Sequence, residues 1–213
     1  MTEPQTVADT SVGFGRAEMA YLVQLQETAG SLASASWLRL DAESGSQDLI
    51  SAGLSSLIAR GMATVEGTNV EFDRRVDIVA YTLANATRWT QTDLLLNAQS
   101  GDSVLQAESD RTTLLFQPRT MLSWFVLPQD PNVSVEAAQS LIVREHLTKN
   151  PDGGVRIRSG LNRSPRQLLI RKSPQGWTYA VAQGDLVGAE ALAQSQEDLA
   201  AALAGFTSGT GGN

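Results

Sequence analysis

Cysteine is absent from the 213 residues of this chain, and histidine occurs once. Without cysteine the chain forms no disulfide, no thiolate nucleophile and no cysteine-ligated zinc site. No apolar run approaches the roughly 18 residues that indicate a membrane span. Residues 1–10 lack the basic start and the apolar block of a signal peptide. We therefore expect a cytoplasmic protein that has no contact with a membrane.

The chain also lacks recognisable catalytic and phosphate-binding motifs. No Gly-x-Ser-x-Gly elbow is present, and Gly153-Gly154 is not followed by the Lys-Ser/Thr pair of a phosphate loop. The one histidine, His146, extends the apolar face of a predicted helix, so we interpret it as a residue at the boundary of the core. The sequence predicts a protein without enzymatic activity, metal or cofactor. An enzyme site assembled from common residues stays open as an alternative.

Residues 46–72 carry the clearest pattern, which is that of a helix followed by a hairpin. Four apolar residues share one helical face, and Arg60-Gly61 is a typical helix end. These four residues are Ile50, Leu54, Leu57 and Ile58. The loop Glu66-Gly67-Thr68 then separates two short strands. A helix with this hairpin resembles half of a winged helix.

The remaining elements are predicted from hydrophobic periodicity and capping residues. Helices are expected over residues 15–26, after Asp73, after Ser134 and within residues 186–206. The helix after Ser134 should bury Val135, Ala138, Leu141 and Ile142. Residues 30–36 are small and polar, which favours a loop, and residues 37–40 are expected to be extended.

Seven strand-like segments follow residue 89. They are predicted at residues 93–98, 103–108, 112–117, 121–127, 155–159, 167–172 and 177–182. Their connections are short within each group, and short connections require antiparallel pairing. We predict an α+β fold, with N-terminal helices and a winged-helix-like hairpin, then an antiparallel sheet of about seven strands with helices on one face.

The predicted domain organisation is simple. Residues 1–13 are polar and are expected to be a disordered N-terminus. Residues 14–206 should form a single α+β domain, with a helical part at 14–89 and a sheet part at 90–206. Residues 207–213 contain only Gly, Ser, Thr and Asn and are expected to be a flexible tail.

Charge is distributed unevenly along the chain. Residues 144–172 contain eight of the sixteen basic residues and carry about +6, whereas the whole chain carries −7. A basic segment of this kind is a candidate surface for an acidic partner. The candidate contacts are Arg156, Arg158, Arg163, Arg166 and Arg171. The alternative interpretation is that these charges pair with acidic residues of the same molecule.

Binding of nucleic acid is disfavoured by the charges of the winged-helix-like segment. Its helix carries Asp48 and one basic residue, Arg60, and its hairpin carries Glu66 and Glu71. Affinity for nucleic acid depends on Lys and Arg contacts to phosphate, which these residues cannot provide. The basic segment could contact phosphate instead, with Trp177 or Tyr179 stacking on a base.

The segment at residues 121–127 is apolar on both faces. A central strand that is covered on both sides accounts for this pattern. A face covered only by a partner also accounts for it, and this second interpretation makes Trp124 a candidate partner contact. We favour burial of Trp124.

Two stretches of the chain resemble a known family. Residues 55–89 read SSLIARGMATVEGTNVEFDRRVDIVAYTLANATRW, and residues 112–127 read TTLLFQPRTMLSWFVL. A helix ending in Leu-x-x-Arg-Gly, a short hairpin, a second helix and then antiparallel strands resemble the EspG-type chaperones of actinobacterial type VII secretion. Two lysines among sixteen basic residues, with much Ala and Gly, are compatible with such an origin.

The resemblance implies a cytosolic, non-enzymatic chaperone that binds a helical secretion substrate. The expected partner is therefore another protein. A winged-helix transcriptional regulator, or an effector-binding domain, is the alternative function.

Overall fold

The structure, a computed structural model, describes residues 11–97 and 99–209. They form an α+β fold with a large antiparallel sheet and with helices in its N-terminal and C-terminal parts, so the predicted fold class is confirmed. Contacts divide the chain into two compact units. Unit 1 contains the residues up to Trp89 together with Gln106–Gln129. Unit 2 contains Thr90–Leu105 and the residues from Asp130 onwards.

The described residues contain six α-helices. They are α1 (Arg16–Gln24), α2 (Ala29–Leu38), α3 (Gln47–Ala59), α4 (Arg74–Ala84), α5 (Val135–Lys149) and α6 (Gln196–Thr207). The two predicted N-caps, Asp73 and Ser134, are present, and Ser46 is a third that was not predicted. The side chains of Ser46, Asp73 and Ser134 accept hydrogen bonds from main-chain N–H groups in the first turns of α3, α4 and α5.

The strands fall into long and short classes. The long ones are β4 (Arg88–Leu95), β5 (Gly101–Glu108), β6 (Thr113–Arg119), β7 (Ser123–Pro128), β8 (Gly154–Gly160), β9 (Arg166–Ser173) and β10 (Gly176–Gln183). The short ones are β1 (Val12–Phe14), β2 (Ala63–Glu66), β3 (Asn69–Phe72), β11 (Leu186–Val187) and β12 (Ala191–Ala193). The seven long strands correspond to the seven that the sequence predicts.

One large sheet contains every strand except two. Its strands follow the order β1-β7-β6-β5-β4-β8-β9-β10-β11, and β12 pairs with β10. The predicted hairpin, β2–β3, forms a separate two-stranded sheet. Gly67 lies in its turn with φ of 63°, a conformation that favours glycine.

The core of unit 1 consists of large aromatic and aliphatic side chains from its helices and strands. The most deeply buried include Phe14, Met19, Leu22, Trp37, Leu57, Leu83, Trp89 and Phe116. The helices α1 and α3 pack closely at Gly53, where a Cβ atom would lie 2.1 Å from the carbonyl oxygen of Ala17. Only glycine permits this approach.

Unit 2 has its own core, which lies between α5, α6 and one face of β8, β9 and β10. It contains Val143, Leu147, Val155, Ile157, Leu168, Ile170, Leu199, Leu203 and Phe206. Alternation along β8 directs Val155 and Ile157 into this core. Arg156 and Arg158 therefore share the opposite face, as the sequence predicts.

The expected loop at residues 30–36 and the extended piece at residues 37–40 are wrong, because α2 spans most of this segment. Its small residues permit close packing instead of a loop. The hydroxyl of Ser34 donates to the carbonyl of Leu83 at 2.7 Å. A Cβ atom at Gly30 would lie 2.4 Å from the carbonyl oxygen of Ala84. The helix α2 thus packs against α4 through residues that resemble a loop in composition.

The predicted buried face of α5 is also wrong. Leu141 is 52% exposed, whereas Gln139, Val143, His146 and Leu147 are buried. Three of the buried residues of α5, namely Gln139, Ser140 and His146, are polar, so the apolar pattern of the sequence does not mark the buried face.

Several predicted boundaries differ from the observed ones. The strand predicted from residue 93 begins at Arg88, because the buried residues Gln91, Thr92 and Asp93 are polar and obscure the pattern. Ala98, its predicted last residue, lies outside the described residues. The strand predicted from residue 121 begins at Ser123. Met121 and Leu122 lie in the turn, with φ of 60° and 52°.

The ends of the predicted domain can be compared only in part. The strand β1 pairs with β7 and includes Val12 and Gly13, which were expected to precede the domain. Thr207, expected in the tail, ends α6. Residues 1–10 and 210–213, which carry the rest of the expected disorder, lie outside the described residues. The single domain over residues 14–206 stays a prediction.

Candidate functional site

Unit 2 contains an apolar groove between α6 and the strands β9 and β10. Its volume is about 520 Å³, which lies within the usual range of ligand pockets. Apolar and small residues form most of the lining: Leu168, Tyr179, Val181, Leu192, Ala201, Ala202, Gly205 and Phe206. Leu168 and Phe206 are buried, whereas Leu192 is 39% exposed. The floor therefore belongs to the core of unit 2, and the rim is open to solvent. We call this feature the α6 groove.

The local sequence explains why side chains do not fill the α6 groove. Alternation along β10 places Trp177, Tyr179 and Val181 on the face that packs towards the core of unit 2. On the opposing helix, Ala201, Ala202 and Gly205 present little or no side chain. Small residues facing larger ones leave space above the floor. A helix rich in Leu at these positions would fill it.

Asp198 is the charged residue among those that line the α6 groove. It belongs to the first turn of α6, where its carboxylate accepts hydrogen bonds from the main-chain N–H groups of Ser195 and Gln194, at 2.9 and 3.0 Å. Hydrogen bonds from the main chain and side chain of Ser195, then from Gln194, hold the pKa of Asp198 below its ordinary value. The groove thus carries a fixed negative charge at neutral pH.

Arg166, one of the predicted partner contacts, holds the C-terminal end of α6. Its Nη1 donates to the main-chain carbonyl of Phe206 at 3.0 Å, and its guanidinium lies 4.6 Å from the centre of the Phe206 ring. Cations favour the C-terminal end of a helix, where carbonyl groups are unpaired. Arg166 therefore holds α6, which forms one wall of the α6 groove, although Arg166 does not line the groove itself.

Arg156 and Arg158, also predicted partner contacts, meet at one carboxylate. Both donate to Oδ2 of Asp93 at 2.9 Å. The Asp93 side chain is 8% exposed, and those of Arg156 and Arg158 are 38% and 25% exposed. Gln91 donates to the other carboxylate oxygen at 2.5 Å. These contacts favour the interpretation that the basic segment is neutralised within the molecule.

The other predicted contacts lie apart from one another. Arg171 pairs with Glu190 at 2.9 Å, both side chains being more than half exposed. Arg163 is exposed in the loop before β9. Trp124 is 3% exposed in the core of unit 1, as the burial interpretation expects. The six residues therefore do not form a single patch, and their role in partner binding stays a prediction.

His146 is buried on the inner face of α5. Its Nε2 lies 3.0 Å from the carbonyl oxygen of Leu95, and its Nδ1 lies 3.4 Å from the amide nitrogen of Asn150. Both contacts are structural and no carboxylate is among them. Within residues 11–97 and 99–209, no three His, Asp or Glu side chains are grouped so as to hold a metal ion. The helices in these ranges are too short or too polar to cross a membrane.

The winged-helix-like segment has the predicted elements, but its basic residue is engaged elsewhere. The Arg60 guanidinium contacts the buried carboxylate of Glu18 in α1. It is therefore not available for a phosphate group.

The sequence patterns did not predict the α6 groove. Residues 186–206 were interpreted as an Ala/Leu-rich helical segment, whereas β12 forms beside β10 before α6 begins. The usable signal was the cluster Ala201, Ala202 and Gly205, since three small residues on one helix indicate either close packing or a space. Only the contacts distinguish these two cases.

No protein-family model matches the sequence, and no curated protein matches it. Among solved structures, six chains are similar. One is the type VII secretion system chaperone EspG5 of Mycobacterium tuberculosis, determined in complex with the PE25–PPE41 dimer. The similarity covers 92% of this chain and 95% of the EspG5 chain, with a TM-score of 0.56 and 8% sequence identity. The likeness is one of fold.

Proposed function

We propose that this chain is a non-enzymatic, cytoplasmic chaperone that binds an apolar helical segment of a type VII secretion substrate. The α6 groove of unit 2 is the binding site in this proposal, and we therefore call it the client groove from here on. The observation that carries it is an open groove with an apolar floor in a protein whose fold is similar to that of EspG5. EspG5 forms a complex with a protein dimer, and the similarity covers nearly all of both chains.

The shape of the client groove favours a helix as the bound element. One wall is the helix α6 and the floor is formed by β9 and β10, so the groove follows a helix axis along one side. Amphipathic helices bind in such grooves through apolar residues at positions i, i+3 or i+4, and i+7. Burial of these residues shields them from water, and this shielding is how a chaperone keeps a client soluble.

The negative charge of Asp198 favours one orientation of the client in the client groove. A negative charge on the lining favours a partner with Lys or Arg, or with a helix N-terminus, at that point. A client with acidic residues there would be disfavoured. Charge complementarity thus sets orientation, while apolar burial provides most of the affinity.

Leu192→Asp tests the proposal by placing a charge at the partly exposed rim of the client groove. The chain would be co-expressed with the PE25–PPE41 dimer and, separately, with small helical proteins encoded beside its own gene. We expect one of these helical proteins to co-elute with the unmodified chain in size-exclusion chromatography. Leu192→Asp should weaken that complex at least tenfold, because the new carboxylate would lose its hydration without a partner when the apolar face of the client packs over it.

Leu186→Asp is the matched control, because Leu186 is 80% exposed and does not line the client groove. It should leave the complex intact. Equal binding by both variants, with both folded, would place the interface elsewhere. The absence of a complex with every helical protein tested would contradict the proposed function itself.

A further inference from the structure

Unit 1 contains a separate cavity of about 610 Å³ between α4 and the strands β1, β6 and β7. Its floor consists of Val12, Val79, Leu114 and Val126, each at most 5% exposed. Three elements of the sheet and one helix thus contribute aliphatic side chains to a single concave surface. Pockets of this volume and lining are typical of small-molecule sites.

The rim of this cavity carries three guanidinium groups. Arg74, Arg75 and Arg111 line it, together with one carboxylate, that of Asp77. Arg111 lies 4.0 Å from the centre of the ring of Tyr81, a second lining residue, so a cation–π contact holds its guanidinium beside the cavity. Arg75 pairs with Asp73, whereas Arg74 has no ion pair with any residue in the described ranges. In a chain with a net charge of −7, such a concentration of arginine favours an anion.

The main chain around the cavity has few free hydrogen-bonding groups with which a peptide could pair. Val12 lies opposite Val126 in the β1–β7 ladder, and Leu114 lies opposite Pro128 in the β6–β7 ladder. The main-chain groups that β1, β6 and β7 turn towards one another are therefore engaged, and those of α4 are engaged within the helix. Among the described residues around the cavity, only the outer edge of β1, which ends the sheet, is left for a peptide main chain. A bound peptide would bring amide groups that find few partners. A ligand with a hydrocarbon body has no such requirement.

We propose that this cavity binds a free, single-chain amphiphile, with its aliphatic chain on the valine and leucine floor and its anionic head group at Arg74 and Arg111. Carboxylate and phosphate head groups share the chemistry that guanidinium recognises through paired N–H donors. The site is distinct from the client groove of unit 2, and the proposal does not depend on the function assigned to that groove.

Calorimetric titration with dodecanoate is the direct test. We expect saturable 1:1 binding to the full chain below the critical micelle concentration, and similar binding of dodecyl phosphate. Dodecanol and dodecylamine, with the same chain, should bind at least tenfold more weakly. Across hexanoate, octanoate and decanoate, affinity should rise about threefold to fourfold per methylene group as apolar surface is buried.

Exposed residues provide variants that keep the fold. Arg74→Gln and Arg111→Gln should each weaken dodecanoate binding about threefold to fivefold, and about tenfold together, since each removes one partly solvated charge contact. Asp77→Asn should strengthen binding about twofold. Arg119→Gln is the matched control, because Arg119 is an exposed arginine of unit 1 that does not line the cavity. It should bind as the unmodified chain does.

Three results would overturn the proposal. One is the absence of saturable dodecanoate binding. Another is equal binding by the Arg74→Gln/Arg111→Gln double variant and the Arg119→Gln control, since this would place the head group elsewhere. The third is binding to phosphatidylglycerol vesicles without binding to monomeric dodecanoate, because it would indicate a membrane surface rather than a free amphiphile.

Discussion

Arg60 at the end of α3 contacts Glu18 of α1 through both carboxylate oxygens, with Nη1 2.7 Å from each. The carboxylate also accepts hydrogen bonds from the Ser56 hydroxyl at 2.7 Å and the Gly15 N–H at 2.8 Å. Burial acts to raise the pKa of Glu18, but the hydrogen bonds from Arg60, Gly15 and Ser56 outweigh it. The pKa of Glu18 therefore lies below its ordinary value of 4.5.

The first prediction is that Arg60→Ala lowers the free energy of unfolding by about 2 kcal/mol at pH 7. Breaking a fully buried ion pair costs roughly 3–5 kcal/mol, and the partial exposure of Arg60 reduces this figure. A lowered folded-state pKa contributes stability above pH 4.5, and this contribution is lost as the pH falls through the folded-state pKa. The loss should therefore shrink below pH 4.5, as urea denaturation at several pH values would show. Arg75→Ala, which breaks an exposed pair, should cost less than about 1 kcal/mol at every pH.

The second prediction concerns the contact between α1 and α3. Gly53→Ala should destabilise the chain by about 1–3 kcal/mol, although alanine ordinarily favours a helix, because the added methyl would overlap the carbonyl of Ala17. Thermal unfolding followed by circular dichroism measures the change. Gly45→Ala is the control, since nothing lies within 4 Å of a Cβ atom there. A stabilised Gly53→Ala variant would show that the two helices are further apart than described.

The third prediction separates the two interpretations of the strand β7. Trp124→Ala should cost about 3–5 kcal/mol of stability, because a fully buried aromatic side chain is removed from the core. Phe125→Ala, one residue along on the opposite face and 46% exposed, should cost about 1 kcal/mol or less. Chemical denaturation of both variants provides the comparison. Equal melting of the Trp124→Ala variant and the unmodified chain would favour a partner contact instead.

The fourth prediction concerns Asp93 and its two arginines. Asp93→Asn should lower stability by about 2–3 kcal/mol, since it leaves two neighbouring guanidinium groups without a counter-charge. Arg158→Met should cost more than Arg156→Met, because Arg158 is the less exposed partner. A double-mutant cycle with each arginine measures the coupling. Arg171→Met, which removes an exposed pair, should change stability by less than about 1 kcal/mol. No loss in Asp93→Asn would imply that the arginines are held by other groups.

The sequence predicts those elements whose periodicity is carried by large apolar residues. The helix α3 and the long strands β8, β9 and β10 have this property, and their predicted and observed limits nearly agree. The predicted start of the strand β4 was too late because its buried residues include the polar Gln91, Thr92 and Asp93. Asp93 pairs with Arg156 and Arg158, which only the fold brings near. The very short strands β1, β11 and β12 contain too few residues to show an alternation.

The candidate site was less predictable than the fold. The sequence indicated a surplus of arginine after residue 144, but its partners lie at other points of the chain: Asp93, Glu190 and the carbonyl of Phe206. A local charge count cannot include them. Both cavities arise where small or aliphatic side chains of several elements meet, so no single segment carries their signature.

The contact between Arg166 and the last turn of α6 has a consequence for how such a protein could diverge. A substitution of Arg166 would shift the C-terminal end of α6 without changing any residue that lines the groove. Under the proposed function, such a substitution would change which helices fit between α6 and the sheet, while the residues that contact the helix stay the same. Paralogues with identical lining residues would then bind helices that carry side chains of different size.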